Sequence, residues 1–290
     1  MAPIPSTPSM RSAALRPGPA GLIAEAVREV WSRRMLIRYL VQADMRKKGA
    51  DSLLGNIWWL LDPLLQLAVY VVLVQLIFQQ RIPDFALFVF SAILPWKWFN
   101  SAVNDAIMSV TSQERLIKQV KFPKLVLPTA AVMAGVVNFA FGLVTMLGLM
   151  LAFYADRISP FLVWIPAIAV VQLVFTMATA FVFAAVNVFF RDLGNLARHA
   201  LRIWFYLSPG LYSLDRLASV SPILGTITWF NPFTILFEAY RSVIYGKADG
   251  SGPTTPDLLP LTVLLVVSIV LLALATVFFK RLEPSFAKVL

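Results

Sequence analysis

An all-helical polytopic membrane protein is what this sequence predicts, and three observations predict it. Of its 290 residues, 59% are hydrophobic and only 14% charged, against roughly 25% charged in soluble domains. The apolar residues gather into stretches of about twenty or more, the length a helix needs to cross the ~30 Å hydrocarbon core of a bilayer. The cations sit in polar gaps between those stretches, most of them on one side of the implied topology, as the positive-inside bias requires. The net charge of +10 is therefore assigned to membrane topology and lipid headgroups, with no nucleic acid as partner. There is no cysteine and a single histidine, His199. Disulfides, thiolate metal sites and a cysteine nucleophile are excluded, and no metal site is expected. No catalytic residue is expected either, because the acids are scattered singly, mostly at span ends.

Taken in order, residues 1–19 are rich in Pro, Ser and Ala and read as a disordered tail. No hydrophobic run follows the early arginines, so the segment does not read as a signal peptide. One membrane domain is expected over 20–290. At about 20–34, Glu25, Arg28, Glu29, Ser32 and Arg33 share one helical face, and Leu22, Ile23, Ala26, Val27 and Val30 share the other. That is the pattern of a helix lying in the membrane interface, and Glu29 can pair with Arg33 at the four-residue spacing. Spans are expected at about 58–78, 85–108, 126–153, 161–190, 200–217 and 258–279. Arg81, Pro83 and Asp84 make one external turn, and Asp156, Arg157 and Pro160 another. The fifth span is broken by Ser208-Pro209-Gly210, and the last is closed by Lys280 and Arg281.

A further apolar segment, about 223–245, is not read as a seventh span. Asn231-Pro232 interrupts it, and seven crossings would leave Lys280, Arg281 and Lys288 outside, against the charge bias. It is predicted as two short external re-entrant helices, with non-helical backbone shielded by protein. Six spans place both termini in the cytoplasm of a cell whose cytoplasmic membrane holds the chain.

The gap at Thr111–Pro128, TSQERLIKQVKFPKLVLP, is more than a turn. Arg115, Lys118, Lys121 and Lys124 recur every three residues beside Glu114, so a short charged helix is expected until Pro123 stops it. A second island, FRDLGNLARHALR from Phe190, carries Arg191, Asp192, Arg198 and Arg202. Such islands serve either as topology anchors or as docking elements for a soluble partner.

The residues also carry a resemblance. SLLG at 52–55 with Trp58 and Pro63, LPWKWF at 94–99, RLIKQVKFPKLVLP at 115–128, NVFFRDLGN at 187–195, YLSPGLY at 206–212 and NPFTILFEAYR at 231–241 together resemble the membrane subunits of ABC transporters of the polysaccharide-export type. Those permeases move O-antigen, teichoic acid or capsule precursors. Asp62 stands where an Asn before the proline is commoner, adding a charge at the membrane boundary, and Gly49 stands where an aromatic is expected. The resemblance implies a homodimer with its conduit on the two-fold axis, joined to two copies of an ATPase subunit that binds ATP and Mg. No lysine here is followed by Ser or Thr, so the chain has no phosphate-cradling loop and no cofactor of its own. Glu25, Arg28, Glu114, Arg115, Lys118, Lys121, Phe122, Arg191 and Asp192 are the expected ATPase-coupling residues. Asn231, Pro232, Glu238 and Arg241 are the expected external gate, the last two able to pair across one turn.

For the cargo, a polyprenol-linked glycan is implied, and aromatic rings suit sugar C–H faces. Trp96, Lys97, Trp98, Phe99, Trp204, Phe205 and Tyr206 are candidates for the conduit, with helix packing as the alternative role. A charge such as Lys97 near mid-span costs about 2.5–3.5 kcal/mol on insertion scales. It is expected to pair with an acid such as Asp105, to meet an anionic lipid pyrophosphate, or to snorkel outward. Two other classes compete: an ABC efflux permease for a drug or small lipid, and a membrane-bound transferase.

Overall fold

The structure, a computed structural model, describes residues 17–49, 57–77, 83–120, 122–214, 217, 219, 221–246 and 252–290. Residues 1–16 of the expected tail, the SLLG motif, Arg81 and Lys121 lie outside the described residues. Among the described residues the chain is helical, with no strand.

Everything is arranged round one helix. Phe85–Ser109, here α4, is apolar on every side but a narrow stripe, and most of its residues are buried. A helix apolar all round must be enclosed, and it is: α3 (Trp58–Val71), α6 (Val126–Phe153), α7 (Ile165–Phe189), α8 (Leu193–Leu207) and α10 (Pro232–Ile244) all pack on it. α3 runs on through a wider π-helical turn, Val72–Ile77. α11 (Leu258–Val289) lies along α7 on the far side. Two helices precede this bundle, α1 (Pro19–Ser32) and α2 (Arg34–Gly49), with α1 against α11 and α2 against α6. The short α5 (Glu114–Gln119) and α9 (Pro222–Thr228) complete the set.

Four helical stretches are long and apolar enough to cross a membrane, Phe85–Gln119, Val126–Phe153, Pro160–Phe189 and Leu258–Val289, while the apolar helix Leu60–Gln75 is shorter. The expected fifth span differs most from expectation. Its helix begins at Leu193, inside the second polar island, and ends at Leu207. Fifteen residues reach only ~22 Å, short of the ~30 Å core. Ser208 is extended, at ψ 145°, because a residue before proline is driven from the helical region. α10 is shorter still, at 13 residues, yet its sides are almost wholly buried against α4, α7 and α11.

α11 also departs from its expected end. It does not stop at Lys280 but continues for another two and a half turns, through Pro284, to Val289. The extension builds a second core, where Ile117 of α5, Leu125, Val188 of α7, and Phe279 and Phe286 of α11 bury together with Ala26 of α1. Phe286 is held edge-on by Phe279, ring centroids 5.2 Å apart, and by Phe189 at 6.0 Å.

Candidate functional site

Two charged joints stand apart in the bundle, one at Lys280 towards the end of α11 and one at Arg241 of α10, which lines a pocket with the start of α11. At the first, Lys280 is the centre. Its side chain is only 7% exposed, and its ammonium meets Glu25 at 3.0 Å, Glu29 at 2.9 Å and Glu283 at 3.2 Å. Glu283 in turn accepts a hydrogen bond from the backbone N–H of Lys124 at 2.7 Å. One ammonium thus ties α1, α11 and the segment leaving α5. Burial alone would lower the Lys280 pKa, but the three carboxylates outweigh it and hold the group charged. Glu25 is pulled below its ordinary value by its hydrogen bond to Lys280, whereas burial pushes Glu29 up.

This geometry gives the acidic face of α1 a partner. Glu25 and Glu29, expected on one face, both meet Lys280, and of the expected apolar face Leu22 and Ala26 are buried while Val27 is exposed. Glu29 takes Lys280 rather than Arg33 as its partner. Arg28 is exposed. Beside the joint, α5 is one short helix that ends at Gln119, with Val120 extended. The three-residue spacing of cations therefore does not persist on one helical face to Lys124. Lys118 bonds Glu114 at 2.7 Å and the carbonyl of Leu290 at 2.7 Å. Glu114 is held below the usual carboxylate range, first by Lys118 and further by Arg191 and Arg115, so the two polar islands are neighbours. Asn187 fixes that neighbourhood, donating to the Ile107 carbonyl at 2.9 Å. Phe122 packs on the second core, and Arg115, Arg191 and Asp192 are exposed.

At the second, Arg241 is the centre, its side chain 3% exposed. One nitrogen bonds Glu238 at 2.9 Å, and another donates to the carbonyls of Pro209 and Gly210 at 2.5 and 2.8 Å. The guanidinium lies 3.8 Å above the Phe88 ring, a cation–π contact. The helix break at Ser208-Pro209-Gly210 frees these carbonyls, and Arg241 takes them up. Asn231 completes the arrangement. Its side-chain oxygen caps α10 through the Phe233 N–H at 3.0 Å and accepts from the Trp204 indole at 3.1 Å, and its amide donates to Ser208 at 2.7 Å. Pro232 opens α10, a position where a missing N–H costs nothing.

The candidate conduit residues part company. Trp96, Phe99, Trp204 and Phe205 form one ring cluster with Phe233, whose centroid lies 4.6 Å from Trp96, 4.7 Å from Phe99 and 5.3 Å from Trp204. These rings pack inside the chain's own core. Tyr206 is exposed, and Trp98 turns the other way, stacked on Phe139 at 4.7 Å. Lys97 pairs with Asp62, not Asp105, and Asp105 is taken by Lys48 at 2.8 Å.

Apolar helices of membrane-crossing length round a buried centre, held by two ionic joints, define a multi-pass helical membrane protein. The chain belongs to the ABC-2 type transporter family, which matches residues 35–245. It is 34% identical over 262 residues to the O-antigen export system permease protein RfbA of Myxococcus xanthus, covering 90% of this chain and 98% of that protein. Two proteins of the same name from Klebsiella pneumoniae are 26% and 25% identical, over 88% of this chain and 95% of each.

Proposed function

We propose that the chain is the membrane-spanning subunit of an ATP-driven exporter that moves a lipid-linked polysaccharide of the O-antigen type across the cytoplasmic membrane. The observation that carries this reading is the end-to-end likeness to the Myxococcus permease, at 34% identity over 98% of that protein. It works as a homodimer with two copies of a separate ATPase chain, which bind ATP and Mg. Six crossings put both termini in the cytoplasm: the four long helices, α3 and α8, the last completed by the residues after its break. α9 and α10 then form the external re-entrant pair. Glu25, Arg28, Glu114, Arg115, Lys118, Lys121, Phe122, Arg191 and Asp192 receive the ATPase. The joint at Lys280 supports this role, because it ties α1 and α11 to the segment leaving α5. Asn231, Pro232, Glu238 and Arg241 hold the outer gate.

Deleting the chain from its own cell tests the reading. Lipid-linked glycan should accumulate at the inner leaflet while surface glycan disappears, and plasmid-borne chain should restore it. Undiminished surface glycan with altered drug efflux would transfer the reading to a small-molecule exporter.

A further inference from the structure

Lys97, Ser101 and Asp105, spaced four residues apart, share one face of α4, flanked there by Asn100 and Asn104. That stripe does not meet apolar packing. It lines a cavity of about 420 Å³ between α3, α4 and α6, closed also by Trp58, Asp62, Trp98, Asn138 and Lys48. The volume falls within the roughly 300–1,000 Å³ of small-molecule sites. Ionisable groups at membrane depth are expensive, face an interior or a wet cavity, and mark substrate paths.

The chemistry of the wall narrows the occupant. Both cations are already paired, Lys97 with Asp62 and Lys48 with Asp105 and Asp44. The two lysines are matched by Asp62 and Asp105 in the lining and by Asp44 behind Lys48, so the cavity offers no net positive charge, which disfavours a phosphate or pyrophosphate. The carboxylates keep free lone pairs, since Asp62 is 62% and Asp105 41% exposed. Carboxylates accept from hydroxyls and ammoniums donate to them. One further group at the wall lacks a partner among the described residues, the side-chain oxygen of Asn138, whereas the indole edge of Trp98 is turned against Gly135. Unpaired buried polar groups are few in native structures and ask for an explanation. The Trp58 ring is open to the cavity side of α3. Interleaved acceptors and donors, no net positive charge and an accessible ring match a polyhydroxylated neutral ring.

We propose that this cavity binds a single neutral sugar residue, held between α3, α4 and α6 of one chain. The proposal rests on the glycan-export reading, and it adds a place where the cargo's sugar is gripped by hydroxyl recognition rather than by its anionic anchor. Lys97 and Asp62 are then cavity-wall ligands that bridge α4 and α3, so a bound ring also sets how far those two helices part.

The test uses the purified full chain in lipid nanodiscs, with methyl α-mannoside, methyl β-galactoside and inorganic pyrophosphate as probes, read by saturation-transfer NMR. Wild-type chain should transfer saturation to the ring protons of at least one glycoside. Asn138→Leu should weaken that binding roughly tenfold, the worth of one hydrogen bond to a buried polar group. Its side-chain oxygen has no partner among the described residues to lose. Asp62→Asn, nearly isosteric, should weaken binding too and serves if Asn138→Leu fails to fold. Binding of pyrophosphate with no glycoside signal overturns the proposal in favour of an anion site. Glycoside binding unaltered by both variants overturns it as well. Absence of all binding in a chain whose deletion abolishes surface glycan overturns the sugar site and leaves the export reading standing.

Discussion

The joints at Lys280 and Arg241 solve different problems with different cations. Lys280 gathers three carboxylates from two helices, and through Glu283 a backbone N–H from a third segment. An ammonium is a compact charge with three donors that turn freely, so it can hold partners approaching from unrelated directions. Arg241 holds one carboxylate and two successive carbonyls of a broken helix. A planar fork suits acceptors fixed in a row, and a stacked ring beneath it adds to the hold. The first joint links elements; the second fixes the shape of one stretch of backbone. A linkage between bodies that transmit force needs the former, and a break that must not slip needs the latter.

The sharpest way to break this contrast is to remove the charge from each. Lys280→Met leaves Glu29 and Glu283 facing one another without a cation, and losing one partner of a buried ion pair costs about 3–5 kcal/mol. A fall of several degrees in the unfolding temperature in detergent should follow, partly recovered by adding Glu29→Gln. Arg-for-Lys exchange sharpens it further. Arg241→Lys cannot reach Glu238 and both carbonyls together, so it should lose about 1–3 kcal/mol through unpaired acceptors, whereas Lys280→Arg should lose less than Lys280→Met. Equal losses in the two exchanges would erase the distinction. Asn231→Ala removes the cap of α10 together with the Trp204 and Ser208 bonds, for about 1–2 kcal/mol. Asn231→Asp keeps the acceptor and should retain roughly half, measured the same way.

Much of the frame was legible in the residues. Apolar runs marked the four long helices, and Pro123, Pro209 and Pro232 marked where chain direction changes, because proline acts locally. The Glu238–Arg241 spacing already allowed the contact now measured at 2.9 Å. What stayed hidden was tertiary. Glu29 had a local partner in Arg33, and nothing in periodicity could prefer Lys280, 251 residues away. Burial decides that choice, since an acid enclosed between α1 and α11 needs its cation there. Asp62 was noticed as an extra charge at a boundary, but its pairing with Lys97 required α3 to lie beside α4. The run of α11 past Lys280 was hidden by the same cations that end the apolar stretch. Helix and membrane span do not stop at the same residue.

The smallest effect concerns the two acids of α1, which share one ammonium and yet differ in sign. Glu25 has its pKa lowered by the hydrogen bond to Lys280, so its ionised form stabilises the fold; that contribution is present above the unfolded-state pKa and is lost as pH falls through the folded one. Glu29 has its pKa raised by burial, so the folded state holds a proton more tightly than the unfolded chain does, and its contribution grows as pH falls. At neutral pH Glu25→Gln should therefore destabilise and Glu29→Gln should be neutral or slightly stabilising, each by under ~1 kcal/mol for groups this near the surface. Both differences should shrink towards zero as the wild-type acids protonate, and Glu29's should do so at the higher pH. Unfolding temperatures of the two variants between pH 7.5 and 4 decide it. If both glutamines destabilise equally at neutral pH, the three carboxylates act as one diffuse charge, and α1 is held by the sum of its acids rather than by a specific one.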